Sequence, residues 1–193
     1  MIQKAIAALA AVLALVACSQ KDPANEAIEA AANALNAVYE DAQKYVPDRY
    51  AEVKQELDTA RKAFGEERYA DAIAAVRDVP AHAEALGKEA AVAKAKHVAE
   101  VNADWARLSI SVPDLFTGIG ARLDELGKLR KLPDGMDKQL LEETKAAFAS
   151  AQSTWTDAQT AFEAGDLDGA VEKARAAEGM AQDLMGRLGM QSG

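Results

Sequence analysis

Apolar residues recur every three or four positions along most of the chain, which is the spacing of one buried face of an α-helix. The two clearest stripes are Tyr50, Val53, Leu57, Ala60 and Phe64, and then Leu141, Thr144, Phe148, Ala151, Trp155, Ala158 and Phe162. Aromatic residues make up only 5% of the chain, and alanine supplies much of its apolar content. This composition suits closely packed helices better than a sheet. We therefore predict an all-α protein, an antiparallel helical bundle over residues 23–190.

Prolines and glycines predict where these helices begin and end. The predicted boundaries are Asp22-Pro23, Val46-Pro47-Asp48, Pro80, Val112-Pro113-Asp114, Leu132-Pro133-Asp134-Gly135 and Gly165-Asp166. The first of them predicts a helix of about 23–45, because proline is well suited to the first helical position. At Pro80 we expect a kink or a short break. The last combines a C-cap glycine with an N-cap aspartate between two helices.

The first seventeen residues have the composition of a removable export signal. Lys4 supplies one positive charge, and the run from Ala5 to Ala17 contains no polar residue. This run is shorter than the roughly 20 apolar residues that a membrane-spanning helix needs. We expect residues 1–17 to be cleaved off and the remainder to be exported.

The end of this segment, Leu15-Val16-Ala17-Cys18, resembles the lipobox of bacterial lipoproteins. The resemblance implies cleavage between Ala17 and Cys18 and attachment of a diacylglycerol to Cys18, with residues 18–22 as a short lipidated tether. The alternative is a plain secretory signal with an incidental cysteine. Because Cys18 is the only cysteine, it has no partner for an intramolecular disulfide.

The formal net charge of −9 limits the partners that the body can have. It argues against nucleic acid and against electrostatic adhesion to anionic lipids. The membrane is therefore expected as a partner through the lipid on Cys18. In Gram-negative envelopes, the lipobox resemblance and Ser19 after the cysteine imply transport to the periplasmic face of the outer membrane.

An internal repeat, with copies of about 48–87 and 134–188, appears when the two halves are aligned with a shift of 98 residues. Matching positions include Ala60 with Ala158, Phe64 with Phe162, Ala72 with Ala170 and Leu86 with Leu184. The turn region resembles that of tetratricopeptide (TPR) hairpins, and the chain resembles uncharacterised bacterial lipoproteins with such hairpins. Two features depart from TPR hairpins. The first copy has Glu67 where the second has Gly165, and the spacing between the two copies is far from the TPR period. The resemblance implies a bundle built from duplicated TPR-like helix-turn-helix hairpins.

Candidate chemistry is sparse, since the chain has only two histidines, His82 and His97. His97, Glu100 and Asp104 would share one helix face and could begin a metal site. A solvated, salt-bridged face is the favoured interpretation. The Glu-x-x-His pattern of di-iron bundles and the strand that a phosphate loop needs are both missing from the sequence pattern. We therefore expect no metal, no cofactor and no enzyme activity.

The remaining candidates are aromatic. Trp105, Trp155, Phe148 and Phe162 are candidates for a groove that takes a partner or ligand, with core packing as the alternative. Our leading hypothesis is an envelope lipoprotein that serves as a helical protein-interaction or scaffold module, with a protein partner in the envelope. The alternative is a periplasmic carrier or chaperone that holds an apolar ligand or an unfolded chain between its helices.

Overall fold

A computed structural model describes residues 2–133 and 135–190 of the chain, with side chains from Gln20 onward. The helices are α1 (Ile2–Ala37), α2 (Tyr39–Tyr45), α3 (Pro47–Gly65), α4 (Tyr69–Val76), α5 (Val79–Lys128), α6 (Lys138–Glu163) and α7 (Leu167–Arg187). The part of the chain that is described contains no strand. The prediction of an all-α helical bundle is confirmed.

The chain divides into two compact units, residues 1–96 and 97–193. The sequence left open whether the two halves form one bundle or two. Helix α5 contributes its first part to the first unit and the remainder to the second. Each unit has a cluster of buried apolar side chains of its own.

In the first unit, α1 packs against the hairpin of α3 and α4. The buried side chains include Ala24, Ile28, Ala31, Leu35, Val53, Leu57, Ala60, Ala63, Ala72, Val76, Val79 and Leu86. The predicted first helix of about 23–45 is wrong in one respect, because the chain leaves the helix at Val38 and re-enters it as α2. Val38 packs against this core, and the re-entry buries Ala42 completely.

The prolines show where sequence signals and packing compete. The break predicted at Pro80 is confirmed, since α4 ends at Val76 and Pro80 lies in the first turn of α5. The boundaries predicted at Pro23 and Pro113 are wrong, because both residues lie inside helices. A proline within a helix costs about 3 kcal/mol. The apolar face of α5 continues on both sides of Pro113. Each large side chain that this face buries contributes about 1.5–3 kcal/mol, so several such side chains together outweigh the cost of the proline.

In the second unit, α6 and α7 form a hairpin that α5 covers. The facing surfaces of α6 and α7 bury mainly alanines, which are Ala151, Ala158, Ala161, Ala170, Ala174, Ala177 and Ala181. Small side chains let the two helix backbones approach closely. The face of α5 that meets this hairpin buries larger side chains, which are Leu108, Val112, Phe116, Ile119, Leu123 and Leu126.

The turns of the two hairpins, α3–α4 and α6–α7, have the same hydrogen bonds in the register of the 98-residue shift. The amide of Arg68 donates to Ala63 O, and that of Asp166 donates to Ala161 O, both at 2.9 Å. Each of these hydrogen bonds spans six residues, and the residue just before the donor is left-handed. This arrangement is the Schellman motif. Asp166 then caps α7 by accepting from the amide of Gly169, as the sequence predicted.

Candidate functional site

Three aromatic rings stack on one another in the second unit. Trp105 of α5 lies between two rings of α6, with its centroid 5.5 Å from Trp155 and 4.4 Å from Phe162. The ring planes are nearly parallel, at 14° and 6°. Trp155 is 9% exposed, whereas Phe162 at the other end is 36% exposed. The stack therefore runs from the core to the surface and ends in an exposed phenyl ring.

Helix geometry explains why these rings meet. Trp155 and Phe162 are seven residues apart, two turns of α6, and so lie on the same face of that helix. The sequence analysis placed Phe148 in the same candidate groove, but Phe148 packs edge-on against Phe116 at 5.6 Å. Phe148 lies two helical turns before Trp155 in α6, and the part of α5 opposite it therefore contains Phe116 and not Trp105. The structure thus brings together three of the four aromatic candidates.

Beside the stack, α5 and α7 border an open groove with a volume of about 670 Å³. Its apolar floor contains Val101 and Val171. Its charged lining consists of His97, Glu100 and Asp104 from α5 and Asp168, Glu172 and Arg175 from α7. Four carboxylates face one guanidinium and one imidazole, so the groove is predominantly acidic.

The three residues considered as a metal site share the α5 side of this groove. His97 Nε2 lies 2.6 Å from Asp168 Oδ1, and Asp104 forms an ion pair with Arg175. Among the side chains that the structure describes, no three His, Cys, Asp or Glu groups come together as metal ligands. His82, the other histidine, pairs its Nδ1 with Glu56 at 2.8 Å. The geometry is that of a salt-bridged face.

One further ion pair links α5 to α7 below the groove. Arg107 Nη1 donates to Glu178 Oε1 at 2.7 Å, and the Ser111 hydroxyl donates to the same oxygen at 2.8 Å. The hydrogen bond from Arg107 is the main reason why the pKa of Glu178 lies below its ordinary value. The side chain of Glu178 is only 16% exposed, so this carboxylate is held as an anion in the packed interface.

A second cavity, which the sequence analysis missed, lies where α5 ends and α6 begins. Its volume is about 520 Å³, and Arg130 and Lys131 lie on its rim. A signal was present in the sequence as Lys128-Leu129-Arg130-Lys131-Leu132, a cationic run in an acidic chain. Its significance depends on which side chains surround it, and these come from the end of α5, the start of α6 and the loop between them.

The predicted lipobox and its Ala17 and Cys18 lie outside the residues whose side chains the structure describes. In the part that is described, no helix has an apolar stretch long enough to cross a bilayer. No family model, curated protein or solved structure matches this chain. The case for a function therefore depends on the chemistry of its own residues.

Proposed function

We propose that this protein is a lipid-anchored, non-enzymatic interaction module of the bacterial cell envelope, which binds a protein partner through its second unit. The observation that supports this most directly is the stack of Trp155, Trp105 and Phe162, which ends in an exposed ring. Aromatic side chains dominate the energetics of protein interfaces because each one buries a large area with little loss of side-chain freedom.

The stack favours binding because its outer ring is already positioned. Phe162 rests flat on Trp105, which itself rests on the largely buried Trp155, so the phenyl ring has little freedom to lose when a partner covers it. An apolar side chain of a partner that packs on the outer face of Phe162 would add a further layer to the stack.

The groove beside the stack defines the chemistry of the partner. Its four carboxylates outnumber its two basic groups, and Glu172 has no ion pair among the side chains described. A partner segment with an apolar residue over Phe162 and Lys or Arg residues along the groove would match both features. Such pairing steers association and weakens as salt is added.

The anchoring part of the proposal is supported by the lipobox resemblance of Leu15-Val16-Ala17-Cys18. The acidic body offers little general attraction to anionic lipid, so stable membrane association would come from acyl chains on Cys18. In a Gram-negative cell, Ser19 favours the periplasmic face of the outer membrane. The carrier hypothesis gains support only from the cavity at the end of α5.

The partner surface can be tested by affinity purification from solubilised envelopes, with wild type compared with Phe162→Ala. We expect the variant to recover about tenfold less of a specific partner, the loss of about 1.4 kcal/mol. Phe64→Ala is the matched control, because Phe64 occupies the equivalent position of the first hairpin and packs on Tyr69. Circular dichroism spectra of both variants verify that they fold.

The result that supports the proposal is capture that falls with Phe162→Ala and with added salt but is unchanged by Phe64→Ala. Recovery of the protein alone, or equal recovery by wild type and Phe162→Ala, would contradict it.

The anchor is tested separately by fractionation. Cys18→Ser should leave the protein as an unprocessed precursor or release it from membranes. In a Gram-negative host, Ser19→Asp should retain the processed protein at the inner membrane. Processed, membrane-bound Cys18→Ser protein that behaves like wild type would disprove lipidation.

A further inference from the structure

We infer that the cavity between the end of α5 and the start of α6 binds an anionic single-chain amphiphile, a molecule with one alkyl chain and a carboxylate or phosphate head. We call this space the loop cavity. Its residues are Leu126, Gly127, Leu129, Arg130, Lys131, Leu132, Met136, Asp137, Lys138, Leu141, Glu142 and Lys145. It is separate from the aromatic stack, and the inference does not depend on the proposed partner surface.

The apolar part of the loop cavity is suited to an alkyl chain. Its volume of about 520 Å³ lies within the range of about 300–1,000 Å³ that small-molecule sites have. Leu126 and Leu141 form a buried wall, whereas Leu129 at the entrance is 45% exposed. An exposed leucine at the entrance of a cavity with leucine walls leaves apolar area in contact with water, and an alkyl chain would cover that area.

The rim of the loop cavity has an excess of positive charge, with four basic side chains and two carboxylates in the lining. Arg130, Lys131 and Lys138 have no ion pair among the residues that the structure describes. Elsewhere in this chain, with its net charge of −9, many basic side chains have a carboxylate partner. Three neighbouring cations without one raise the free energy of the unliganded state, and a bound anion lowers it.

The acidic groups of the lining already have other partners. Asp137 caps α6, with its Oδ1 accepting from the amide of Leu140 at 2.7 Å. Glu142 is held by Lys145 at 2.8 Å. These carboxylates are therefore engaged locally, and the rim cations remain available to an anionic head.

The apolar walls and the basic rim of the loop cavity together indicate the class of ligand. A free phosphate ion would pair with the cations but would leave the leucines and Met136 uncovered. A neutral amphiphile would fill the apolar space but would leave the cations unpaired. An anionic amphiphile satisfies both, and an open cavity of about 520 Å³ has room for one alkyl chain.

The test uses the full chain carrying Cys18→Ser, titrated by calorimetry with dodecyl phosphate below its micellar concentration. Arg130→Glu/Lys131→Glu should weaken binding by at least about tenfold. Lys62→Glu/Lys173→Glu is the matched control, because it makes the same change in net charge at two cations that have no ion pair among the described side chains. We expect the control to bind within about twofold of the parent chain.

Two further probes and one further variant decide the ligand class. Inorganic phosphate and dodecyl maltoside, which supply the head charge and the chain separately, should each bind at least about tenfold more weakly than dodecyl phosphate. Leu129→Gln should weaken dodecyl phosphate binding without unfolding the protein, since Leu129 is half exposed.

Several results would overturn the inference. They are equal binding by the Arg130→Glu/Lys131→Glu variant, equal loss in the matched control, equal affinity for dodecyl maltoside, and binding only to phosphatidylglycerol vesicles. The last of these would make this end of α5 a membrane contact and not a ligand cavity. None of these measurements involves Phe162, so the failure of one proposal leaves the other intact.

Discussion

Glu67 and Gly165, which lie 98 residues apart, adopt the same left-handed backbone conformation, with φ angles of 60° and 82°. Each lies two residues after the last residue of a helix, in the repeated turn, and each donates its amide to the carbonyl three residues before it at 3.0 Å. Glycine adopts this conformation without steric cost, whereas a residue with a Cβ does not. The same turn is therefore strained in the first hairpin and relaxed in the second.

This difference predicts opposite effects for exchanges at the two positions. Glu67→Gly should raise the free energy of unfolding by about 1 kcal/mol, and Gly165→Ala should lower it by a similar amount. No atom lies within 4 Å of a Cβ built at Gly165, so the backbone alone causes the loss. Urea denaturation measures both. Glu67→Ala is the control, because it removes the carboxylate but keeps the Cβ; a gain equal to that of Glu67→Gly would refute the conformational explanation.

The two prolines of α5 should respond differently to replacement by alanine. Pro113 lies inside the helix, so Pro113→Ala restores a backbone donor and should stabilise the protein by about 1–3 kcal/mol. Pro80 lies in the first turn, where its missing donor has no intrahelical acceptor, and Pro80→Ala should change stability by less than about 0.5 kcal/mol. Thermal unfolding of both variants measures the contrast. Equal effects would mean that α5 does not run unbroken through Pro113.

The tight contact between Gly87 and Val38 predicts a destabilising glycine-to-alanine exchange within a helix. A Cβ at Gly87 would lie 2.8 Å from Cγ1 of Val38, a stiff β-branched side chain. Gly87→Ala should therefore lower stability although alanine is the better helix former, and Val38→Ala should relieve the clash in the double variant. Gly179→Ala in α7 is the control, since nothing lies within 4 Å of its Cβ.

In contrast, Gly179→Ala should raise stability by up to about 1 kcal/mol through helix propensity alone. Chemical denaturation measures the free energy of unfolding of the three single variants and of the double variant Gly87→Ala/Val38→Ala. Additive effects of Gly87→Ala and Val38→Ala would exclude the contact as the cause.

The ion pair between Arg107 and Glu178 predicts a pH-dependent stability. The pKa of Glu178 is lowered in the folded protein, mainly by the hydrogen bond from Arg107. The stabilisation is therefore complete above the unfolded pKa of about 4.3 and is lost as the pH falls through the lower folded value. At neutral pH, Glu178→Gln should cost about 1 kcal/mol, because Arg107 is half exposed.

The measurement is the difference in unfolding free energy between wild type and Glu178→Gln from pH 7 to pH 3. That difference should stay constant down to about pH 5 and then shrink. Glu172→Gln, which alters an exposed carboxylate on the same helix, should show neither the cost nor the pH dependence. A difference that grows on acidification would reverse the assigned sign.

The sequence alone determined the fold class and most helix boundaries, because these depend on local physics. The three-to-four spacing of apolar residues gives each helix one buried face, and Gly165-Asp166 specifies a helix end followed by a helix start within two residues. The 98-residue register also follows from sequence, since it compares side chains position by position. The export signal and Cys18 are likewise sequence features, and they remain predictions.

Tertiary structure decided what depends on distant neighbours. Pro113 remains inside a helix because an unbroken α5 buries more apolar side chains in the core of the second unit. The helix propensity of proline, which is a local property, does not show that this burial outweighs its cost. Phe148 and Phe162 share one helix face, yet only Phe162 meets Trp105, because the partner ring depends on how far along α5 each turn of α6 lies. The ligand proposed for Arg130 and Lys131 follows from the cavity beside them, whose leucines come together only in the folded chain.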